Sequence, residues 1–152
     1  MLDGTYFWAL LYGLERWSVI DFRYSVSYTK NGGGIMVIIH MRNVPGKPNH
    51  RALDKPLPYM TREGKQEYIP KDFEWDGSSV PWFAQGIFPR HRHPVASCRH
   101  DKRCGDATCA EDRKFADLEF RKDVRKTSWW ITAAAGYYGV RIGAFLGIGS
   151  NF

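Results

Sequence analysis

The sequence predicts an α+β fold, in which an N-terminal β-hairpin or small antiparallel sheet is followed by a core of two to three packed helices. Residues 18–29 and 35–41 are rich in β-branched and aromatic residues and flank a glycine-rich turn, which is typical of a hairpin. Residues 110–127 place apolar side chains among charges at helical spacing. These two patterns together favour a mixed fold over an all-α or all-β one.

The length of 152 residues predicts one domain. A chain of this size buries roughly 68–70% of its unfolded surface, so it needs no disulfide or metal to fold. We divide the domain into three parts: a hairpin and proline-rich loop (1–70), a helical core (71–127) and an apolar, glycine-rich C-terminal helix and tail (128–152).

The hairpin turns at Asn31–Gly34, because glycine and asparagine accept positive φ at little cost. Its second strand, 35–41, is apolar enough to be buried on both faces. Residues 5–14 are apolar and aromatic, and their periodicity does not distinguish a short helix from a buried strand.

A surface loop is predicted for residues 43–68, because four prolines and many charges resist both helix and central strand. Short edge strands are expected only near 65–69. Residues 70–81 then form a compact turn region, in which Asp76 precedes a glycine in a tight turn.

Two helices follow. The first is predicted from Val95 to about Lys102, begins after Pro94 and is broken by Gly105. The second spans 110–127, with acidic residues at its start and basic residues at its end, as the helix dipole favours.

Residues 128–147 are apolar over a length that could span a bilayer. Arg141 inside the segment costs about 2.5–3.5 kcal/mol in a membrane, and repeated small residues favour close helix packing instead. A buried or partner-facing helix, a helix on a membrane surface and a true span all remain open.

The composition of the chain limits the kinds of partner that it is expected to bind. The net charge of +6 favours anionic partners such as an anionic membrane surface, whereas plain solubility explains it equally well. No nucleic-acid-binding motif is present, so sequence-specific reading of nucleic acid is not expected. The N-terminus lacks the features of a signal peptide, which predicts synthesis in a cytoplasm.

Four residues are the candidates for chemistry: His100 and Asp117 as a catalytic dyad, and Asp76 and Asp101 as metal ligands. Histidine suits general-base work because its pKa is near neutral, and carboxylates suit Ca²⁺. Asp117 would receive the second imidazole N–H and fix the tautomer. The alternative is that His100 and Asp117 are a hydrogen-bonded pair that ties two helices together.

Three clustered cysteines allow a second metal hypothesis, in which Cys98, His100, Cys104 and Cys109 surround Zn²⁺. A Cys104–Cys109 disulfide and free buried thiols are the other interpretations. His91 and His93 lie in a basic loop and are expected at the surface.

The chain resembles a phage- and prophage-encoded family, the domain of unknown function numbered 1353. Three motifs that occur in order carry the resemblance: IPKDFEWDGSSVP, the His100–Asp101 pair, and Ala116–Asp117 with Phe120. It covers about residues 66–146. A phage origin implies host-cell synthesis followed by incorporation into a virion.

A weaker similarity is to bacterial phospholipase A2, which has an Asp-Gly turn, a Cys-x-x-His-Asp helix and an Asp-x-x-Phe-x-x-Asp helix. Here Asp76–Gly77, His100–Asp101 and Asp117–Asp123 match, but Cys98 is one residue too close to the histidine. The similarity implies that His100 and Asp117 activate a water while Asp76 and Asp101 hold Ca²⁺.

Two functions follow from these resemblances. The first is a virion component of the tail, neck or baseplate, or an assembly protein, that is built on a phospholipase A2-like helical core and contacts other virion proteins or itself. The alternative is a small Ca²⁺-dependent ester or lipid hydrolase, with Zn²⁺ as the less favoured metal.

Overall fold

The computed structural model describes residues 23–28, 37–76 and 92–147, and the side chains of the last two ranges. Within these ranges six strands precede three helices, as the α+β prediction requires. The strands are β1 (Arg23–Tyr28), β2 (Val37–Val44), β3 (Lys47–Leu53), β4 (Leu57–Met60), β5 (Gln66–Ile69) and β6 (Glu74–Trp75). The helices are α1 (Pro94–Asp106), α2 (Ala110–Thr127) and α3 (Trp130–Phe145).

Strands β1, β2, β3 and β6 form one antiparallel sheet in that order, and β4 and β5 form a second, two-stranded sheet. The predicted hairpin is β1–β2. Strand β2 buries only one face: Ile39 and Met41 are inside, whereas Ile38 is 38% exposed. The prediction of burial on both faces was therefore wrong, because the sheet packs against other elements on one side. The predicted segment 5–14 and the turn at 31–34 lie outside the described residues.

Residues 43–68 were predicted to be a surface loop with short edge strands only near 65–69. In the structure this segment contains β3 and β4 as well as most of β5. Pro45 and Gly46 form a two-residue connection between β2 and β3, and Gly46 takes a φ of 75° there. Proline followed by a positive-φ glycine is the sequence of a type II turn. Pro58 is tolerated in β4 because, among the described strands, β4 pairs only with β5.

Helix α2 has the predicted bounds, and α1 is longer than predicted. Pro94 occupies the first turn of α1, where its missing N–H is not needed, and the helix continues through Gly105. Helix α3 buries small residues at three- and four-residue spacing against its neighbours, namely Ala133, Gly136, Gly139, Val140 and Gly143. Among the described helices none has both the length and the apolarity to cross a bilayer.

Two arginines of α1 connect the helices to the small sheet. Arg99 donates to the Pro58 carbonyl at 2.8 Å and Arg103 to the Met60 carbonyl at 3.1 Å, both in β4. Arg99 also bonds Asp123 of α2 at 3.2 Å. All three of these charged side chains are buried, and the Asp123 carboxylate offsets part of the positive charge of the two guanidinium groups.

His93 is buried at the start of α1, contrary to the expectation that it lies on a basic surface. Its ring bonds Thr127 Oγ1 at 3.0 Å and Ser128 Oγ at 3.2 Å, which joins α1 to the end of α2. Burial, together with the positive charge of Arg92, lowers the pKa of His93 to about 4. His91 lies outside the described residues.

The buried ring of His93 predicts a loss of stability in acid. Between pH 6.5 and about pH 4, His93 is protonated in the unfolded chain but mostly neutral in the folded chain. The free energy of unfolding should therefore fall by about 2–3 kcal/mol more in the wild type than in His93→Gln between pH 7 and pH 4.5. Urea denaturation at both pH values measures this difference, and identical pH profiles for the two proteins would contradict it.

Candidate functional site

His100 and Asp117 form the centre of the candidate site. Their positions on α1 and α2 face each other, and His100 Nε2–H donates to Asp117 Oδ1 at 2.8 Å. Both side chains are buried, and the Phe120 ring lies 4.9 Å from the imidazole, centroid to centroid. The proposed dyad is therefore assembled, with the histidine held between a carboxylate and an aromatic ring.

Two arginines hold the carboxylate of Asp117 in place. Arg141 of α3 donates to Oδ2 at 3.2 Å, and Arg113 Nε lies 3.4 Å from Oδ1. Burial alone would raise the pKa of Asp117, but the contacts with His100 and these guanidinium groups outweigh it and lower the pKa. Asp117 is therefore an anion that three helices share.

The second ring nitrogen of His100 faces Asp101, whose Oδ1 lies 3.6 Å from Nδ1. Burial opposes the charged imidazolium, yet the contacts with Asp101 and Asp117 prevail and raise the pKa of His100 well above its usual value. The two neighbouring carboxylates therefore favour the protonated form of the ring.

A cavity of about 420 Å³ opens beside this cluster. His100, Asp101 and Asp76 all line it, so three of the four predicted site residues lie around the same cavity. Burial raises the pKa of Asp101, and the negative charge of Asp76 raises it further against the influence of His100. The rest of the described lining is mixed, with apolar Phe73, Trp75, Phe120 and Val140 and polar His50, Glu74, Ser97, Cys104 and Arg113, together with Gly105 and Gly143.

The cysteines do not form the predicted zinc cluster. Cys98 packs into the apolar core with Ile39 and Trp75, and Cys109 lies beside Arg62 at the start of α2. All three thiols are free, so the Cys104–Cys109 disulfide is also absent from the described structure. Cys98 and His100, only two positions apart on one helix, point in different directions.

Cys104 instead lies one helical turn from His100, with Sγ 3.5 Å from Nε2. His100, Cys104 and Asp117 are a buried group whose ligand atoms lie within 4.8 Å of one another, and such a group can hold a metal ion. Sequence reasoning missed this trio, although the four-residue spacing of His100 and Cys104 on a helix was the available signal.

Sequence reasoning also missed the two arginines. Arg113 precedes Asp117 by four residues on α2, a spacing that brings opposite charges together on a helix surface. Arg141 is the one charged residue in the apolar segment 128–147, and a charge in such a segment requires a partner. In the structure that partner is Asp117.

The described residues form an α+β protein, in which small antiparallel sheets precede helices and a buried His–Asp pair lies beside a cavity. Residues 51–140 match the model of the family described as "Protein of unknown function (DUF1353)". This is more than half of the chain, and the chain therefore belongs to that family. The matched range contains His100, Asp117, Asp76 and Asp101. No curated protein and no solved structure matches the chain.

Proposed function

We propose that the protein is a small hydrolase of ester bonds that uses a water activated by His100 and Asp117. The observation that carries the proposal is the 2.8 Å bond between these side chains at the wall of a 420 Å³ cavity. A histidine oriented by a buried carboxylate beside a substrate-sized space is the arrangement that general-base catalysis needs.

Each residue has a separable role. Asp117, anchored by Arg113 and Arg141, keeps Nε2 protonated and the ring oriented. Nδ1 then remains as the atom that accepts a proton from water. It can do so only when the negative charge of Asp101 is neutralised, because that charge otherwise holds a proton on the ring.

A cation at Asp76 and Asp101 fits these residues. Both carboxylates line the cavity, and their mutual repulsion contributes to the raised pKa of Asp101. Oxygen ligands of this kind suit Ca²⁺. When bound, Ca²⁺ supplies positive charge that neutralises the carboxylates and polarises an ester carbonyl.

Zn²⁺ at His100, Cys104 and Asp117 is the competing placement, because nitrogen and sulfur ligands suit zinc. Two features argue against it. The Asp117 carboxylate already contacts the guanidinium groups of Arg113 and Arg141, which repel a cation. Zinc at His100 Nε2 would also displace the bond that forms the dyad. We therefore favour Ca²⁺.

Calorimetric titration of each metal distinguishes the two placements. Ca²⁺ should bind the wild type and Cys104→Ser alike, and its affinity should fall by roughly tenfold or more in Asp76→Asn. Zinc bound at the trio would instead depend on Cys104. Absence of binding for both metals, or Ca²⁺ binding that Asp76→Asn leaves unchanged, would remove the support for a metal-assisted hydrolase.

We also propose that the hydrolase is carried in a phage particle, as a tail, neck or baseplate component. The resemblance to phage- and prophage-encoded proteins supports this, as do the exposed apolar side chains Met60 and Tyr68 on the β4–β5 sheet, which suit contact with another protein. Mass spectrometry of purified particles tests it, and particles that lack the chain would refute it.

A further inference from the structure

Helix α3 carries an exposed apolar stripe that the site does not use. Ile131, Tyr138, Ile142 and Phe145, here called the outer stripe, are 57%, 64%, 46% and 91% exposed. A row of large exposed apolar side chains marks a surface that contacts a membrane or another protein.

The stripe is straight and lies opposite the packing face of the helix. Successive members are separated by seven, four and three residues, which keeps them on one side of an α-helix. At about 1.5 Å per residue it is roughly 21 Å long. The buried residues Ala133, Val140 and Gly143 are on the other side.

The surroundings of the stripe are aromatic and basic. Trp129 and Trp130, at its N-terminal end, are both exposed. Residues 118–147 contain five basic side chains and two acidic ones, and α3 itself contains no acid. Arg141 is paired with Asp117, just outside this range, so Arg121 and Arg125 are the basic groups beyond the ion pairs. Both acids, Glu119 and Asp123, are paired with lysines of α2. Arg121 lies over the Tyr137 ring at 5.7 Å, which brings one of the basic groups to the side of α3.

We propose that α3 docks its outer stripe onto an anionic lipid surface, with the helix lying along the membrane plane. Tryptophan and tyrosine favour the boundary between headgroups and acyl chains, because their rings are apolar with a polar edge. Basic groups beside them are attracted to anionic headgroups.

Docking in this orientation also places the cavity near the membrane. Val140 and Gly143 line the cavity from the inner face of the same helix. One helix diameter, about 10–12 Å, therefore separates the cavity wall from the lipid. The docking proposal stands on the exposed surface alone and does not require the hydrolase proposal.

Co-sedimentation with vesicles tests the docking. The full chain should bind phosphatidylglycerol-containing vesicles and bind phosphatidylcholine vesicles at least about tenfold more weakly, with a blue shift of tryptophan fluorescence. Tyr138→Ser with Phe145→Ser should weaken binding by about tenfold or more. Arg121→Gln should weaken it by about fivefold at low salt.

The matched control is Met60→Ser with Tyr68→Ser, which removes exposed apolar side chains from the β4–β5 sheet. This control should bind vesicles as the wild type does. Equal binding by the stripe variant and the control would overturn the proposal, as would the absence of vesicle binding. A stripe variant that changes only the oligomeric state in size-exclusion chromatography would also overturn it and assign the stripe to a second copy of the chain.

Discussion

Replacing His100 with glutamine should reduce ester hydrolysis by about 10²–10⁴-fold while the protein stays folded. Glutamine can place an amide N–H near the position of Nε2 and so keep a bond to Asp117, but it has no group that accepts a proton at neutral pH. The rate of hydrolysis of a chromogenic ester, measured with Ca²⁺ and with chelator, gives the result.

The matched control is His93→Gln, which alters the other described buried histidine of this region, outside the cavity. It should keep wild-type activity at pH 7, where His93 is neutral in any case. Near-wild-type activity of His100→Gln, with near-UV circular dichroism showing native packing in both variants, would leave His100 with a purely structural role.

Asp117→Asn should destabilise the fold by about 3–5 kcal/mol. The substitution keeps the shape of the side chain but removes the negative charge that the His100 imidazolium, Arg113 and Arg141 share. Removing one partner from a buried charged cluster leaves the others uncompensated, which is why the cost is large. Urea denaturation at pH 7 measures it.

Asp106→Asn is the control for this measurement, because Asp106 is half exposed and pairs with Lys102 at the surface. Its cost should stay within about 1 kcal/mol. If Asp117→Asn cost no more than the control, Asp117 would not be the counter-charge of the cluster. If Asp117 only tied helices together, Asp117→Asn would lose stability without a matching loss of activity per folded molecule.

Helix α2 shows what local sequence can predict. Its bounds followed from apolar residues at helical spacing, with Glu111 and Asp112 at the start and Arg125 and Lys126 at the end. The hairpin β1–β2 was predicted for similar reasons. These signals lie within a single element, so they need no knowledge of its neighbours.

The proline-containing strands show where local signals fail. Pro58 argues against a strand in general, yet in the described part of the chain β4 has one neighbouring strand and needs no N–H on its other side. Whether a strand lies at an edge depends on the tertiary arrangement. The same holds for burial of β2 on one face only, and for His93, whose partners Thr127 and Ser128 are more than thirty residues away.

The candidate site was partly predictable. His100, Asp101, Asp76 and Asp117 were singled out by their types and motifs, and the structure brings them to one region, although their roles stay predictions. Arg113, which is buried, and Arg141, which is partly exposed, were missed because each is recognised only by the carboxylate that it pairs with. Here that partner comes from the packing of three helices.

The guanidinium groups of Arg99 and Arg103 join β4 to α1, because they donate hydrogen bonds to the carbonyl oxygens of Pro58 and Met60. A two-stranded ribbon is marginally stable alone, so these bonds link its opening to that of α1. Backbone amides of β4 and β5 should consequently exchange with deuterium at rates close to those of α1, as one cooperative unit.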